Sequence, residues 1–278
     1  MDITTIVGIL AGAALIVYGI LGGGKLSDFY DLGSVLITVG GTLATTFSCF
    51  PLSTFAKVPK HFKIINQGNK YKPQFYIDNI VELAQEARRK GILALEDKVK
   101  DISDPFLVNS VMLIVDAIEP EKAREILENE LNNLEARHSE AWKLYEKAAA
   151  FSPAFGMIGT LIGLVNMLKH LDLESEGGAA ALSGGMSTAL ITTFYGVIMA
   201  NMIFMPIANK LRMKHDEEMM NKEIVVEGVL AIQAGENPNH IKERLSSYLN
   251  SSKRGGETTA GGGDAGEKPA PKEKKKKK

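Results

Sequence analysis

The sequence predicts an all-α, polytopic membrane protein with four transmembrane helices, two of which continue as long helices into a cytoplasmic helical domain. Three observations carry that prediction. The mean hydropathy of the 278 residues is near zero, yet apolar residues are gathered into blocks and charges lie elsewhere, so the average describes neither part. Four stretches, residues 3–24, 32–56, 148–168 and 177–209, contain no Asp, Glu, Lys or Arg, and each reaches the roughly 20 helical residues that cross a hydrocarbon core. The segments after the second and fourth blocks are basic, which fixes an orientation.

Taken in order, the first block follows Met1 and Asp2 without the basic leader of a cleavable signal, so it reads as a retained helix. The short loop after it carries Lys25, Asp28 and Asp31. The second block ends near Cys49, the single cysteine, which rules out an intrachain disulfide and reads as a small membrane-buried residue. Lys57, Lys60, Lys63, Lys70 and Lys72 then precede the first acid, Asp78, while Lys210, Arg212 and Lys214 follow the fourth block. By the positive-inside bias both flanks are cytoplasmic, and the loop holding Asp172, Glu174 and Glu176 lies outside. The expected organisation is therefore 1–56 for helices one and two, 57–147 for a cytoplasmic helical domain, 148–209 for helices three and four, and 210–250 for cytoplasmic C-terminal helices. Residues 251–278, rich in Gly, Lys and Ala, form a basic tail expected to be disordered. Its lysines either touch membrane lipid headgroups or are simply solvated.

Within the cytoplasmic part, Ile77, Ile80, Val81, Ala84 and Ala87 follow a 3.6 period, with Gly91 as the stop. A short helix from Leu93 to Ile102 follows. Asp104 then caps a helix with Pro105 at its first position and Leu107, Val111, Ile114, Val115 and Ile118 on a face that should be buried. Leu127, Leu131, Leu134, His138, Ala141, Tyr145 and Ala148 form a seam without a breaker into the third block, long enough to reach roughly 45 Å below the membrane. The fourth block likewise continues past Pro206 to Gly235.

Small residues four apart, Gly8 and Gly12, Gly159 and Gly163, Gly196 and Ala200, allow close helix approach. Hydroxyls cluster at Thr160 and at Ser187, Thr188, Thr192 and Thr193, either lining a pore or bonding to the carbonyl one turn back. None of the blocks holds an acid, Lys or Arg, so a proton path through this chain needs a carboxylate lent by another chain. Pro153 and Pro206 stand near the cytoplasmic surface, as hinges or as boundary prolines. No enzyme signature is present: Gly19 to Lys25 has phosphate-loop spacing, but Leu26 stands where Ser or Thr is needed and the stretch leaves a membrane helix. No cofactor and no nucleic-acid partner are expected.

Pro153-Ala-Phe-Gly-Met-Ile-Gly-Thr-Leu-Ile-Gly163, Thr192-Thr-Phe-Tyr-Gly196 and Pro206 together resemble the third and fourth spans of MotA/PomA stator proteins, a likeness extending over residues 1 to about 250. Glu86-Ala-Arg-Arg-Lys-Gly-Ile-Leu-Ala-Leu-Glu96 resembles the family's charged rotor-facing motif. The resemblance implies a flagellar stator subunit that conducts ions, protons first and sodium otherwise, and turns the flow into torque. It places Thr160 and Thr193 on the ion route, with Thr192 as a further candidate. It gives Pro153 and Pro206 conformational coupling, and Arg88, Glu96 and the adjacent Arg89 contact with the rotor switch protein FliG. It also implies a pentamer of this chain around a dimer of MotB or PomB, a single-span subunit supplying a membrane Asp, in the bacterial inner membrane with both termini cytoplasmic. An ExbB/TolQ-type energiser, with three spans, and a non-conducting membrane scaffold are the alternatives.

Overall fold

The structure is a computed structural model and describes residues 3–66, 72–169 and 178–249. The tail 251–278, and the loop with Asp172, Glu174 and Glu176, lie outside the described residues. Among the described residues every regular element is helical, as the sequence predicts.

Helix α1 (Ile3–Gly23) is 21 residues long, about 30 Å at the usual helical rise. A 3₁₀ turn at Leu26–Phe29 leads to Asp31, whose carboxylate accepts from the Ser34 amide at 2.7 Å and so caps the second span. That span runs through α2 (Leu32–Val35), a π-helical stretch Leu36–Gly40 and α3 (Gly41–Cys49). The short α4 (Leu52–Phe55) and amphipathic α5 (Val58–Asn66) follow.

The helices outside the apolar spans form one core. In α6 (Pro73–Lys90) the periodic residues Ile77 and Ile80 are fully buried, and the helix stops at Gly91, whose φ of +88° is a conformation open to glycine. The short helix expected over 93–102 is shorter: a 3₁₀ turn at Ile92–Ala94 and α7 (Leu95–Val99), because only Leu95 and Val99 bury. Asp104 caps α8 (Pro105–Val115), accepting from the Phe106 and Leu107 amides at 2.8 and 3.2 Å, and also accepts the Tyr76 hydroxyl.

Two long helices join this core to the membrane. Helix α9 (Pro120–Lys169) is continuous for 50 residues, through Pro153. Helix α10 (Gly178–Ile198) passes through a π-helical stretch Met199–Phe204 into α11 (Met205–Gln233), and α12 (Pro238–Ser246) folds back against α6 and α11. The apolar faces of α6, α7 and α8 pack on the lower part of α9 and on Ile224, Val225 and Val229 of α11. A second cluster, Trp142, Leu144, Tyr145, Ala208 and Leu211 with Phe50, Phe55 and Val58, sits where the stalk meets the spans.

Among the described residues three helices are long and apolar enough to cross a membrane: Leu32–Cys49, Pro120–Lys169 and the run from Leu182 to Gln233. Helix α1, without a charged residue, supplies the fourth apolar helix of span length. Only 22% of the Leu32–Cys49 window is buried within the chain, so most of that helix must meet lipid or other chains. Cys49 is likewise exposed on the surface of the chain rather than buried in it.

Candidate functional site

The third and fourth spans touch backbone to backbone. A Cβ on Gly163 would lie 2.5 Å from the Gly185 carbonyl oxygen and 2.8 Å from the Ala189 nitrogen, and one on Gly196 would lie 2.6 Å from the Ser152 oxygen and 3.2 Å from Pro153 Cα. A Cβ on Gly159 would run into the Thr192 side chain. This is the close approach that the Gly159, Gly163 and Gly196 spacing predicts. Gly8, by contrast, has nothing within 4 Å, and Gly12 approaches only Met202.

That approach sorts the predicted hydroxyls. Thr160 Oγ1 and Thr193 Oγ1 are 2.6 Å apart, and both lie near the Ala189 carbonyl oxygen, at 3.1 and 3.2 Å. One hydroxyl donates to the other, which leaves a single proton for the backbone, at Ala189 or, from Thr160, at the Gly156 carbonyl one turn back at 3.1 Å, and lone pairs on both hydroxyl oxygens. Thr160 is half-buried and Thr193 exposed, so these oxygens border an open face of the chain. Thr192 instead has no exposed surface; it donates to the Thr188 and Ala189 carbonyls at 2.9 and 3.1 Å and fills the seam opposite Gly159. The two neutral hydroxyl oxygens of Thr160 and Thr193 can accept from a hydrated proton or ligate part of a sodium shell, but they carry no charge with which to hold a cation alone.

A further hydroxyl stripe escaped the sequence reading. Ser34, Thr38, Thr42 and Thr46, spaced by four, are buried to 3% exposure or less on the second span. The Ser34 hydroxyl donates to the Asp31 carboxylate at 2.5 Å and only approaches the Thr188 carbonyl, at 3.5 Å, while Thr38 donates to the Thr192 carbonyl at 3.4 Å and ties the second span to the fourth. Thr46 donates to the Thr42 carbonyl one turn back, at 2.7 Å, while the Thr42 hydroxyl has no partner among the described residues. The signal was the four-residue repeat itself, which puts all four on one helix face.

Both prolines stand beside these contacts. Pro153 lies within α9 against Gly196. Pro206 is in the first turn of α11, just after the π-helical stretch, where the Met205 amide donates to the Ala200 carbonyl five residues back. The wide turn accommodates a ring that has no N–H to offer Met202.

At the far end of the molecule the charged motif splits into two parts. Glu86 is buried and pairs with Arg89 at 3.1 Å and Lys90 at 2.7 Å; the Lys90 ammonium, first of all, holds its carboxyl below the usual range. Arg88 and Glu96 are exposed on either side of Gly91 and make no ion pair among the described residues. Between them stands Leu93, 74% exposed, an apolar residue that no charge pattern would have singled out.

Where the spans meet the stalk, His61, His138 and His215 each have a ring nitrogen in hydrogen-bond contact. Burial raises the Tyr145 hydroxyl to about 12, so it donates to His61 Nδ1 at 3.2 Å, and burial lowers the pKa of His61. His138 Nδ1 and His215 Nδ1 are 3.2 Å apart, an arrangement in which one must accept, and burial lowers the pKa of His138.

Fold and seam together define the class: a polytopic α-helical membrane protein whose paired spans present hydroxyls, not acids, along an open face. The model of the MotA/TolQ/ExbB proton channel family matches residues 98–224. Motility protein A of Treponema phagedenis is 38% identical over 250 residues, 90% of this chain and 95% of that protein. Chemotaxis protein PomA of Vibrio alginolyticus is 37% identical over 257 residues, covering 91% and 98%. The solved structure of the flagellar MotAB stator complex from Bacillus subtilis superposes with a TM-score of 0.80 at 31% identity, covering 91% of this chain and 98% of that one. The chain belongs to the MotA/PomA family of flagellar motor stator subunits.

Proposed function

We propose that this subunit conducts protons or sodium ions across the bacterial inner membrane together with a MotB/PomB-type partner and converts that flow into torque on the rotor. The observation that carries the reading is the Thr160–Thr193 hydroxyl pair, 2.6 Å apart on an open face of acid-free spans. Such a wall is half of an ion site. It offers oxygens to a passing cation, and the charge that makes passage favourable comes from a carboxylate on the partner's single membrane helix. The partly unburied spans give copies of this chain the surface to form a ring, a pentamer around a partner dimer, with Thr160 and Thr193 facing inward. Thr192 holds the seam behind them. Loading the partner's Asp with a cation removes a charge from a low-dielectric site and changes its contacts with the ring, which then steps. Pro153 and Pro206 transmit the step to the stalk.

All four spans cross the membrane with both termini on the cytoplasmic side, so 57–147 and 210–250 meet the rotor protein FliG. Arg88 and Glu96, unpaired among the described residues, supply that contact; Arg89 is already committed to Glu86. The contact is exposed and therefore sensitive to salt.

The test is Thr193→Ala in a motile host, with membrane insertion checked by blot. Swimming is expected to stop or slow severely, and undiminished swimming would favour a non-conducting scaffold. Swimming speed followed against sodium at fixed pH identifies the ion, since insensitivity assigns protons.

A further inference from the structure

A cavity of about 360 Å³ opens beside the second and fourth spans at the top of the stalk. Lys57, Lys60, Arg137 and Lys214 line it against a single carboxylate, Glu218. Lys57 is paired with Glu140 at 3.6 Å and Lys214 with Glu217 at 3.4 Å, but Lys60 and Arg137 have no acidic partner among the described residues. The remaining wall combines the imidazoles of His61, His138 and His215 with apolar surface from Ile64, Leu211 and the buried Trp142. Cations converging on one cavity repel each other unless an anion joins them.

The depth of the cavity narrows the ligand. Lys57 is the first residue after the charge-free block 32–56, Lys214 stands five residues beyond the block 177–209, and Trp142 and Arg137 stand six and eleven residues before the block 148–168, so the cavity runs from the membrane boundary to roughly 16 Å below it along a helix. The cavity is flanked by α5, which carries Lys60 and Lys63 together with exposed Phe62 and Ile64, 48% and 45% accessible. Basic residues beside exposed apolar ones on one short helix are the pattern of a segment lying in the headgroup layer, where tryptophan also concentrates.

We propose that this cavity binds the phosphate headgroup of an anionic phospholipid from the leaflet facing the stalk. Lys60 and Arg137 hold the phosphate, Lys214 adds charge behind it, and Ile64, Leu211 and Trp142 receive the glycerol and the upper acyl chain. The lipid would bridge α5 to both stalk helices, bracing the junction between the spans and the cytoplasmic domain. The site stands independently of the ion route, which lies in the third and fourth spans.

Trp142 is the only tryptophan in the chain, so its emission reports on this cavity alone. The full-length protein in a neutral detergent is titrated with phosphatidylglycerol, with phosphatidylcholine, and with inorganic phosphate or glycerol phosphate. A saturable change in Trp142 emission with phosphatidylglycerol only is expected. Each removed cation weakens binding about fivefold, so K60Q/R137Q moves the midpoint about 25-fold. K143Q/K147Q, which removes two exposed cations outside the cavity, leaves the midpoint in place. Should the double variant fail to fold by circular dichroism, R137Q alone, on the exposed surface, is expected to give the fivefold shift. An equal response to phosphatidylcholine, or an unmoved midpoint in a folded K60Q/R137Q or R137Q protein, overturns the site. Saturation by glycerol phosphate with no further response to phosphatidylglycerol overturns the lipid and assigns the cavity to a soluble phosphate ester.

Discussion

Gly163→Ala perturbs the membrane seam by one methyl. The new Cβ would stand 2.5 Å from the Gly185 carbonyl oxygen, and backbone cannot rotate away as a side chain can. Restoring an ordinary contact of about 3.4 Å opens the helix pair by about 0.9 Å. Carried one turn along rigid helices, that opening takes the Thr160–Thr193 distance from 2.6 Å to about 3.5 Å, outside hydroxyl hydrogen-bond range. Overpacking of this kind costs about 1–3 kcal/mol, partly offset by the ~1 kcal/mol that alanine gains over glycine in a helix. Gly8→Ala is the control, because nothing lies within 4 Å of its Cβ position and only the propensity gain remains. Thermal unfolding of both variants in the same detergent, with swimming scored in parallel, makes the comparison. G163A is expected to melt below G8A and to swim poorly. Equal melting and equal swimming would refute the close seam and the hydroxyl pair that depends on it.

Three further outcomes follow from particular contacts. Reversing Arg88 to Glu should abolish or strongly slow swimming while Arg89→Gln, whose partner is the intramolecular Glu86, should cost much less; tethered-cell rotation compares them, and equal loss would contradict the division of labour. His61 and His138 have folded pKa values below their ordinary 6.5, so the unfolded chain binds more protons as pH falls past 6.5: stability should be highest above that value and drop toward pH 5, a slope that H138N should flatten in melting curves. Thr42→Val removes a buried hydroxyl that has no partner, so it should be neutral or stabilising by about 1 kcal/mol, whereas Thr38→Val, which loses its bond to the Thr192 carbonyl, should destabilise; equal melting shifts would show that the Thr42 hydroxyl is in fact satisfied.

The architecture was legible because its signals are long and one-dimensional. Charge-free blocks and a 3.6 period need no partner to be read, and Asp104 before Pro105 announces its cap directly. The charged motif was legible as a pattern around Gly91, but the burial of Glu86 was not. Only packing shows that Arg89 and Lys90 serve it and that Arg88 is left over. Thr192 and Thr193 are adjacent in sequence and so point about 100° apart on a helix. Nothing in the sequence says which of them meets Gly159, and the seam decides it. The π-helical stretches at Leu36–Gly40 and Met199–Phe204 also left no local mark beyond Pro206, because a one-residue change of register is set by neighbouring helices.

These particulars explain why the glycines and the threonines have to be considered together. A hydroxyl contributes to an ion route only if its lone pairs stay open, and a threonine on a helix tends to spend its proton on the carbonyl one turn back. Here the third and fourth spans approach closely enough that Thr160 and Thr193 meet each other over the Ala189 carbonyl, so one proton satisfies the pair internally and acceptors remain. Separate the helices and Thr160 keeps only the Gly156 carbonyl and Thr193 only the Ala189 carbonyl, each one turn back, so the two protons are spent separately and the hydroxyl pair is lost. The composition of the wall therefore does not by itself bring two hydroxyls together; the backbone distance set by Gly159, Gly163 and Gly196 does.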